Sequence, residues 1–469
     1  MALNIKNDYL DDIFNYDPAE MIQQDKDHVW HHLTQHKIFE TNDPMVIVEG
    51  NGLRLKDIKG REFLDAVSGG VWCVNVGYGR ESIAEAVYQQ LKVMPYYAGS
   101  AGNIPAIKYA KKLTTLLPKL QKVYFSNSGS EANEKAFKMV RQSFRLKYPG
   151  KEKIKILYRN KDYHGTTLGA LSATGQEERR MDFGPFVPGF VEFPHACCYR
   201  CHFGKTYPEC NIDCARVVED IILQEGPDTV GAVFVEPITA GGGVIPPVKE
   251  YYPILQEICK KYDVLMIMDE VVCGFGRTGK MFGHEHYDVD PDIVTMAKGT
   301  ASSYAPVSVT MAKEDLFNVF KNDPSEKLAY FRDISTYGGC AGGFAAGLEN
   351  IRIIEDEKLC ENSAKLGEYM LEGLKELLAF PIVGDVRGKG LFAGIELVED
   401  KESKTPVSEA FIGKVIGDIT AQGVLVGRTN RSFVNQNNIM NVAPALIATK
   451  DDIDEIVNAI KNSLEKNSK

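Results

Sequence analysis

Asp292-Ile293-Val294-Thr295-Met296-Ala297-Lys298-Gly299 places an apolar run, broken only by Thr295, directly before a lysine and a glycine. Such a run between turn signals reads as a buried strand of a parallel sheet, with Lys298 delivered at its carboxyl end. An unpaired ammonium at a buried position is costly, and burial drives it toward the neutral amine. A neutral lysine amine bonds reversibly to a carbonyl carbon. A lysine at a strand end also reaches water without any chemical duty, so the octapeptide alone leaves both readings open.

Upstream, Val264-Leu265-Met266-Ile267-Met268-Asp269-Glu270-Val271 repeats the pattern and ends in an acid. If these two strands are parallel neighbours, Asp269 and Lys298 share one carboxyl edge, where open α/β sheets bind ligands. A pyridine-aldehyde cofactor requires this pair: an amine for the aldehyde and a carboxylate that keeps the ring nitrogen protonated. A third buried-strand pattern, Ala232-Val233-Phe234-Val235-Glu236-Pro237-Ile238, also ends in an acid.

The chain has 469 residues, more than one core usually organises, so a large domain with a smaller companion is expected. Strand and helix patterns alternate from about residue 75 to 340, which implies a mainly parallel sheet covered on both faces. We expect residues 1–74 to join the small domain, 75–343 to form the large cofactor-binding domain, and 344–469 to form a small α+β domain. Within the first segment, Met45 to Asp65 reads as short antiparallel strands. Val29, Trp30 and Leu33 read as the packing face of an N-terminal helix, with His28, His31, His32 and His36 around them. Helical periodicity follows at Ser82–Met94 and at Pro105–Leu117, and a last helix is expected from Asp451 to about Lys466.

Apolar residues make up 44% and the formal net charge is −10, which argues against nucleic acid or an anionic membrane as the main partner. No run of about 18 apolar residues occurs, and Met1 to Glu20 lacks the basic-then-apolar order of a secretory signal, so a cytoplasmic location is expected. Ten cysteines occur, and Cys197, Cys198, Cys201, Cys210 and Cys214 cluster with His195 and His202 in an insertion at about 195–215. The spacing suits structural zinc, but a metal-free surface insertion is the expectation, so no metal ligand is assigned. Gly274-Phe275-Gly276-Arg277-Thr278-Gly279 matches a dinucleotide fingerprint, yet no helical period follows it before Pro291, so a nicotinamide or flavin site is not expected.

Val123-Tyr124-Phe125-Ser126-Asn127-Ser128-Gly129-Ser130-Glu131 reads as a strand, a small polar turn and a helix start. Free N–H groups and the positive helix end make such a turn an anion site, although an ordinary helix cap has the same sequence. Together with Asp162-Tyr163-His164-Gly165, Asp269-Glu270-Val271, Thr295-Met296-Ala297-Lys298-Gly299 and Ser335-Thr336-Tyr337-Gly338-Gly339, in that order, the chain resembles the class III (omega) aminotransferases. Asp27-His28-Val29-Trp30-His31-His32-Leu33, Trp72-Cys73-Val74-Asn75-Val76-Gly77-Tyr78-Gly79-Arg80 and Tyr330-Phe331-Arg332-Asp333-Ile334-Ser335-Thr336 resemble the taurine aminotransferases within that class.

The resemblance implies the type I fold of pyridoxal-phosphate transferases. It implies that Lys298 carries the cofactor and then moves protons, and that Asp269 pairs with the ring nitrogen. Tyr163 is implied to stack on one ring face and Val271 to pack on the other, with His164 beside them. Ser128, Gly129 and Ser130 are implied to receive the phosphate, and Thr336 to reach it from a neighbouring subunit, making the active unit at least a homodimer. Glu236 is implied to lie by the cofactor or the substrate entrance. For the substrates' anionic ends the resemblance points to Arg428 or Arg431, and Trp72 either walls the pocket or packs the core. The implied reaction moves the amine of taurine to a 2-oxo acid, pyruvate or 2-oxoglutarate. An aminotransferase for 4-aminobutyrate, β-alanine or a diamine would keep the same cofactor residues, and a zinc-binding interaction protein would use the cysteines instead.

Overall fold

The computed structural model describes residues 15–429, 432 and 436–467. Strands β1 (Ile47–Asn51), β2 (Arg54–Asp57) and β3 (Glu62–Asp65) form an antiparallel meander, as the alternation around Met45 to Asp65 predicts. Next come the members of the central sheet: β4 (Lys122–Ser126), β5 (Lys155–Arg159), β6 (Phe190–Phe193), β7 (Val230–Val235), β8 (Leu265–Asp269), β9 (Ile293–Met296) and β10 (Ser308–Ala312). Their order is β4-β10-β9-β8-β7-β5-β6. From β9 to β6 every pairing is parallel, while β10 runs antiparallel between β4 and β9.

The side-chain period of a strand is two, so a sheet covered on both faces needs apolar residues at consecutive positions. Val233 and Val235 of β7, Met266 and Met268 of β8, and Val294 and Met296 of β9 enter the main core on one face. Ala232, Phe234, Ile267 and Ile293, the alternate residues, enter a second core on the other face. There they meet Ala136, Phe137, Val140 and Phe144 of the helix Gly129–Lys147. Burying each such large side chain contributes about 1.5–3 kcal/mol, which explains why these strands carry no polar alternation.

A third sheet follows the order β11-β12-β15-β14, built from Val383–Gly388, Ala393–Leu397, Ile439–Val442 and Gly427–Thr429 respectively. The two-residue strand β13 (Val424–Leu425) leaves that region to pair in parallel with β3, with Val424 opposite Leu64. The N-terminal meander is therefore stitched to the C-terminal part of the chain. The helix opened by Pro105 spans Ile104–Leu116, capped by Asn103, whose side chain accepts the Ala106 N–H at 2.9 Å. The last helix spans Lys450–Asn467, where the Thr449 hydroxyl accepts the Asp452 N–H and the Asp452 carboxylate accepts the Thr449 N–H.

The expected packing of Val29, Trp30 and Leu33 on an N-terminal helix is not what the chain adopts. The helix is Pro18–His28 and buries no residue, and Trp30 is 88% exposed. Its sequence lacks an apolar stripe, and Val29 is already extended. The histidines brace this exit locally: His31 pairs with Asp25 at 2.7 Å and its N–H reaches His36 Nε2 at 2.9 Å. No helix among the described residues is long and apolar enough to cross a membrane.

The glycine-rich Gly274–Gly279 stretch opens no helix, and a buried guanidinium explains its place. Arg277 donates to the carbonyls of Leu391 and Pro444 at 3.1 and 2.5 Å. It also donates to Ser68 Oγ at 3.0 Å and Asn75 Oδ1 at 2.9 Å. It thus ties the large sheet's loop to both the N-terminal and the C-terminal parts of the chain. Arg277→Met should cost about 3–5 kcal/mol, because several buried acceptors lose their donor at once. The measurement is a lowered urea midpoint of the apoprotein; an unchanged midpoint contradicts this role for Arg277.

Candidate functional site

Across the β8–β9 pair, Asp269 stands opposite Thr295, so the two chain exits leave the sheet at the same carboxyl edge. After Ala297 the chain turns sharply, with Lys298 at φ +40°, a left-handed conformation that is uncommon outside glycine. The turn is held from behind. Asn350 donates to the Gly299 carbonyl at 2.8 Å, and a Cβ on Gly299 would fall 2.5 Å from Asn75 Nδ2. Lys298 therefore leaves the sheet in a fixed direction, its Nζ 5.8 Å from the centre of the Trp72 ring. Trp72 is itself fixed by Nε1–H donation to Asn441 Oδ1 at 2.9 Å and by edge contact with Phe392.

Asp269 is buried and carries three donors. His164 Nδ1 and Asn133 Nδ2 both approach Oδ2 at 2.8 Å, and the Val271 N–H reaches Oδ1 at 3.0 Å. With its Nδ1–H spent on the carboxylate, His164 keeps a buried Nε2 that has no partner among the described residues. Asn133 also donates to the His164 carbonyl at 2.6 Å, so one amide locks the carboxylate and its histidine together. Donors of this kind fix the direction in which the carboxylate points.

The helix Gly129–Lys147 begins beside this carboxylate. Ser128 is its cap: its hydroxyl accepts the Glu131 N–H at 3.2 Å. Gly129 is required by close approach, since a Cβ there would lie 3.0 Å from Val271 Cγ1. Ser130 Oγ accepts the Thr166 N–H at 3.1 Å and keeps its own hydrogen to donate. The helix start so presents unpaired N–H groups and a hydroxyl to an anion, with the helix dipole behind them.

These residues line one cavity: Gly129, Ser130, Asn133, Tyr163, His164, Glu236, Asp269, Val271, Val272, Ala297 and Lys298 all face it, with Gly165. Glu236 accepts the N–H groups of Tyr163 at 2.8 Å and Ala240 at 3.0 Å. Burial first, then the charges of Asp162 and Asp269, hold its carboxyl well above the usual range. An amine, a carboxylate directed across the floor and an anion cradle at the far end match a flat pyridine aldehyde bearing a phosphate. The unpartnered His164 Nε2 and the bare Gly129 face fit a site shaped for a bound group.

Of the residues that the sequence singles out, Gly129, Ser130, Tyr163, His164, Glu236, Asp269, Val271 and Lys298 meet at this cavity, while Ser128 caps the helix behind it. Trp72 stands over the lysine. Arg428 does not line the cavity: its guanidinium turns to Glu409, 3.7 Å from Oε2 and 3.3 Å from the carbonyl. Arg431 lies outside the described residues. Thr336 is exposed, away from its own chain's cavity. Asn133 is the functional residue that sequence reasoning missed; its signal is the i, i+4 spacing from Gly129, which puts both on the helix face toward the sheet. The cysteines of the insertion are free thiols, with Cys214 pushed up to about 12 by burial and by the neighbouring thiols. No group of three His, Cys, Asp or Glu among the described residues is arranged to hold a metal ion.

The family described as Aminotransferase class-III matches residues 38–464 of this chain. The taurine–pyruvate aminotransferase of Bilophila wadsworthia is 57% identical over 446 residues, covering 95% of this chain and 97% of the relative. The hypotaurine/taurine–pyruvate aminotransferase of Paracoccus denitrificans is 54% identical over 452 residues, 96% and 98% of the two chains. Among solved structures, an aminotransferase of Bacillus anthracis superposes with a TM-score of 0.91 at 40% identity, covering 96% of this chain and 98% of that one. The omega transaminase of Pseudomonas jessenii in complex with PMP superposes with a TM-score of 0.89 at 31% identity, covering 95% and 98%.

A carboxyl with a raised pKa keeps its proton in the folded state while the unfolded chain releases it. Between the two pKa values the folded state binds more protons, so Glu236 makes stability fall as pH rises above the ordinary carboxyl value. An infrared-monitored pH titration should therefore show a carboxyl C=O band that disappears at a higher pH than that of an exposed carboxyl and that Glu236→Gln removes. A band lost at or below the ordinary carboxyl value contradicts this effect of burial on Glu236.

Proposed function

The chain belongs to the class III aminotransferases, which work with pyridoxal phosphate, and from that premise we propose that it moves the amino group of taurine to pyruvate, releasing sulfoacetaldehyde and alanine. The observation that carries this reading is identity above one half, over nearly the whole length, to the relatives from Bilophila wadsworthia and Paracoccus denitrificans, whose names both include taurine and pyruvate, the second with hypotaurine beside taurine. The fold, the cofactor and the transaminase chemistry do not depend on it.

When bound, the cofactor supplies an aldehyde for the amine and a protonated ring that spreads the charge left when the adjacent C–H bond breaks. The chain's residues set the conditions for this. Asp269 would pair with the ring nitrogen, and His164 and Asn133 fix the direction of its carboxylate. Lys298 would hold the cofactor through its aldehyde, and its free Nζ would take the proton from the carbon that bears the amine and deliver it to the cofactor's former aldehyde carbon. The Gly129 and Ser130 end of the helix would hold the phosphate, and Tyr163 and Val271 would hold the ring.

The sulfonate of taurine and the carboxylate of pyruvate each need a cation, and Arg428 and Arg431 are our candidates. Arg428 is available by exchange, because its contact with the half-exposed Glu409 at 3.7 Å is long and solvent-screened. We further propose that the working unit is a homodimer in which Thr336 reaches the phosphate site of the second subunit. The exposure of Ile334 and Tyr337, 70% and 66%, around Thr336 supports a covered surface there. A 2-oxoglutarate acceptor is the second reading for the other half-reaction; it demands room for one more carboxylate.

Coupled assays of taurine with pyruvate and with 2-oxoglutarate test the proposal. Sulfoacetaldehyde should form with pyruvate, and Lys298→Ala should abolish the cofactor's visible band in the resting enzyme and cut turnover by at least about a hundredfold. Turnover of 4-aminobutyrate, β-alanine or a diamine without any of taurine would overturn the substrate assignment and leave the cofactor chemistry standing.

A further inference from the structure

Tyr163 is covered by a guanidinium that the reaction has not yet used. Arg179, on the short helix Glu177–Arg180, places its guanidinium carbon 4.6 Å above the centre of the Tyr163 ring. Its Nε–H donates to Gln176 Oε1 at 2.9 Å, and among the described residues it has no carboxylate partner. Gln176 is fully buried and anchored in turn, its Nε2 donating to the Lys161 carbonyl at 2.9 Å. Gly241 closes the layer from below: a Cβ there would lie 2.7 Å from Gln176 Nε2 and 3.3 Å from Tyr163 Cβ. The Thr429 hydroxyl donates to the Gly241 carbonyl, so the strand that carries Arg428 presses on the same layer.

A tyrosine held only by its backbone N–H, which here goes to Glu236, is free to rotate about its side-chain bonds. A guanidinium placed over its face restricts that freedom. A planar cation binds an aromatic face better when water is excluded, and burial lowers the Arg179 pKa here, a sign of that exclusion. A carboxylate beside Arg179 would draw the charge off the ring. Its side-chain hydrogen-bond partner among the described residues is a neutral amide, which orients the guanidinium and leaves its charge for the ring.

We propose that Arg179 is a positioning residue for the transamination: anchored by Gln176 and laid over Tyr163, it fixes the plane in which the tyrosine ring meets the cofactor. Its effect runs through Tyr163, without contact to the reacting atoms. The consequence reaches every amine donor equally, because the ring plane governs cofactor retention and bond alignment whichever substrate is bound.

The test uses the full-length chain, stripped of cofactor and titrated with pyridoxal phosphate, with visible circular dichroism of the bound cofactor as a second readout. Arg179→Met should weaken cofactor binding about two- to thirty-fold and alter the visible dichroism, and Arg179→Lys should recover part of both. In a Tyr163→Ala background, Arg179→Met should cause no additional loss, since the face it covers is gone. Wild-type affinity and dichroism in Arg179→Met overturn the proposal. So does a loss that persists undiminished in the Tyr163→Ala background, or a KM rise confined to anionic amines, which would place Arg179 on the substrate. Because cofactor binding is read without any amine, these outcomes are separate from the assignment of taurine and pyruvate.

Discussion

The constraint beneath everything else is that two parallel strands must end side by side with opposite chemistry at their tips. Asp269 and Lys298 belong to neighbours in one sheet, in register at Asp269 and Thr295, so backbone hydrogen bonds set their separation. A strand edge is stiffer than a loop, and a cofactor gripped at both ends tolerates little error in that distance. The cost is a charged residue at the rim of an apolar sheet, and the chain meets it with dedicated donors. His164 and Asn133 sit on separate elements, the loop after β5 and the helix after β4, and both converge on one carboxylate oxygen.

The same economy of position recurs around the cavity. The helix that starts at Gly129 supplies free N–H groups from its first turn and Asn133 from its second, so one element lines two parts of the cavity. Glycine is needed there for a steric reason: Val271, on the chain just beyond Asp269, occupies the space where a Cβ would sit. Around this centre, two cores on opposite faces of the sheet keep the strands from shifting. Arg277 pins the adjoining loop to distant parts of the chain through neutral acceptors, so burial drives its pKa down to about 10. That stretch resembles a dinucleotide loop in its spacing, yet the glycines here serve turns around a structural arginine.

Much of this was legible along the chain because local patterns carry it. Apolar runs, that of β9 broken only by Thr295, announced β7, β8 and β9, and the residue closing each run announced the site. The turn chemistry at Ser128 and Gly129 announced a helix start. Where the reading went astray, the cause is physical. Val29, Trp30 and Leu33 are apolar and yet exposed, because nothing in a local pattern tells a residue that packs on its own chain from one that does not. Asn133 escaped notice since an asparagine one turn into a helix has no local mark of function; its role appears only when Asp269 is folded against it.

The sequence by itself determined the class of fold, the family and the pair of groups that meet at the cavity, because strand hydrophobicity and residue type are local properties. Only the tertiary structure decided which side chains brace that pair. Asn133 and His164 on the carboxylate, Arg179 on Tyr163 and Glu409 on Arg428 are contacts between residues up to 136 positions apart, whose approach depends on the packing of whole elements. Hydrogen bonds and ring contacts need atoms within a few ångströms, and no spacing along a chain encodes such distances between separate strands and helices.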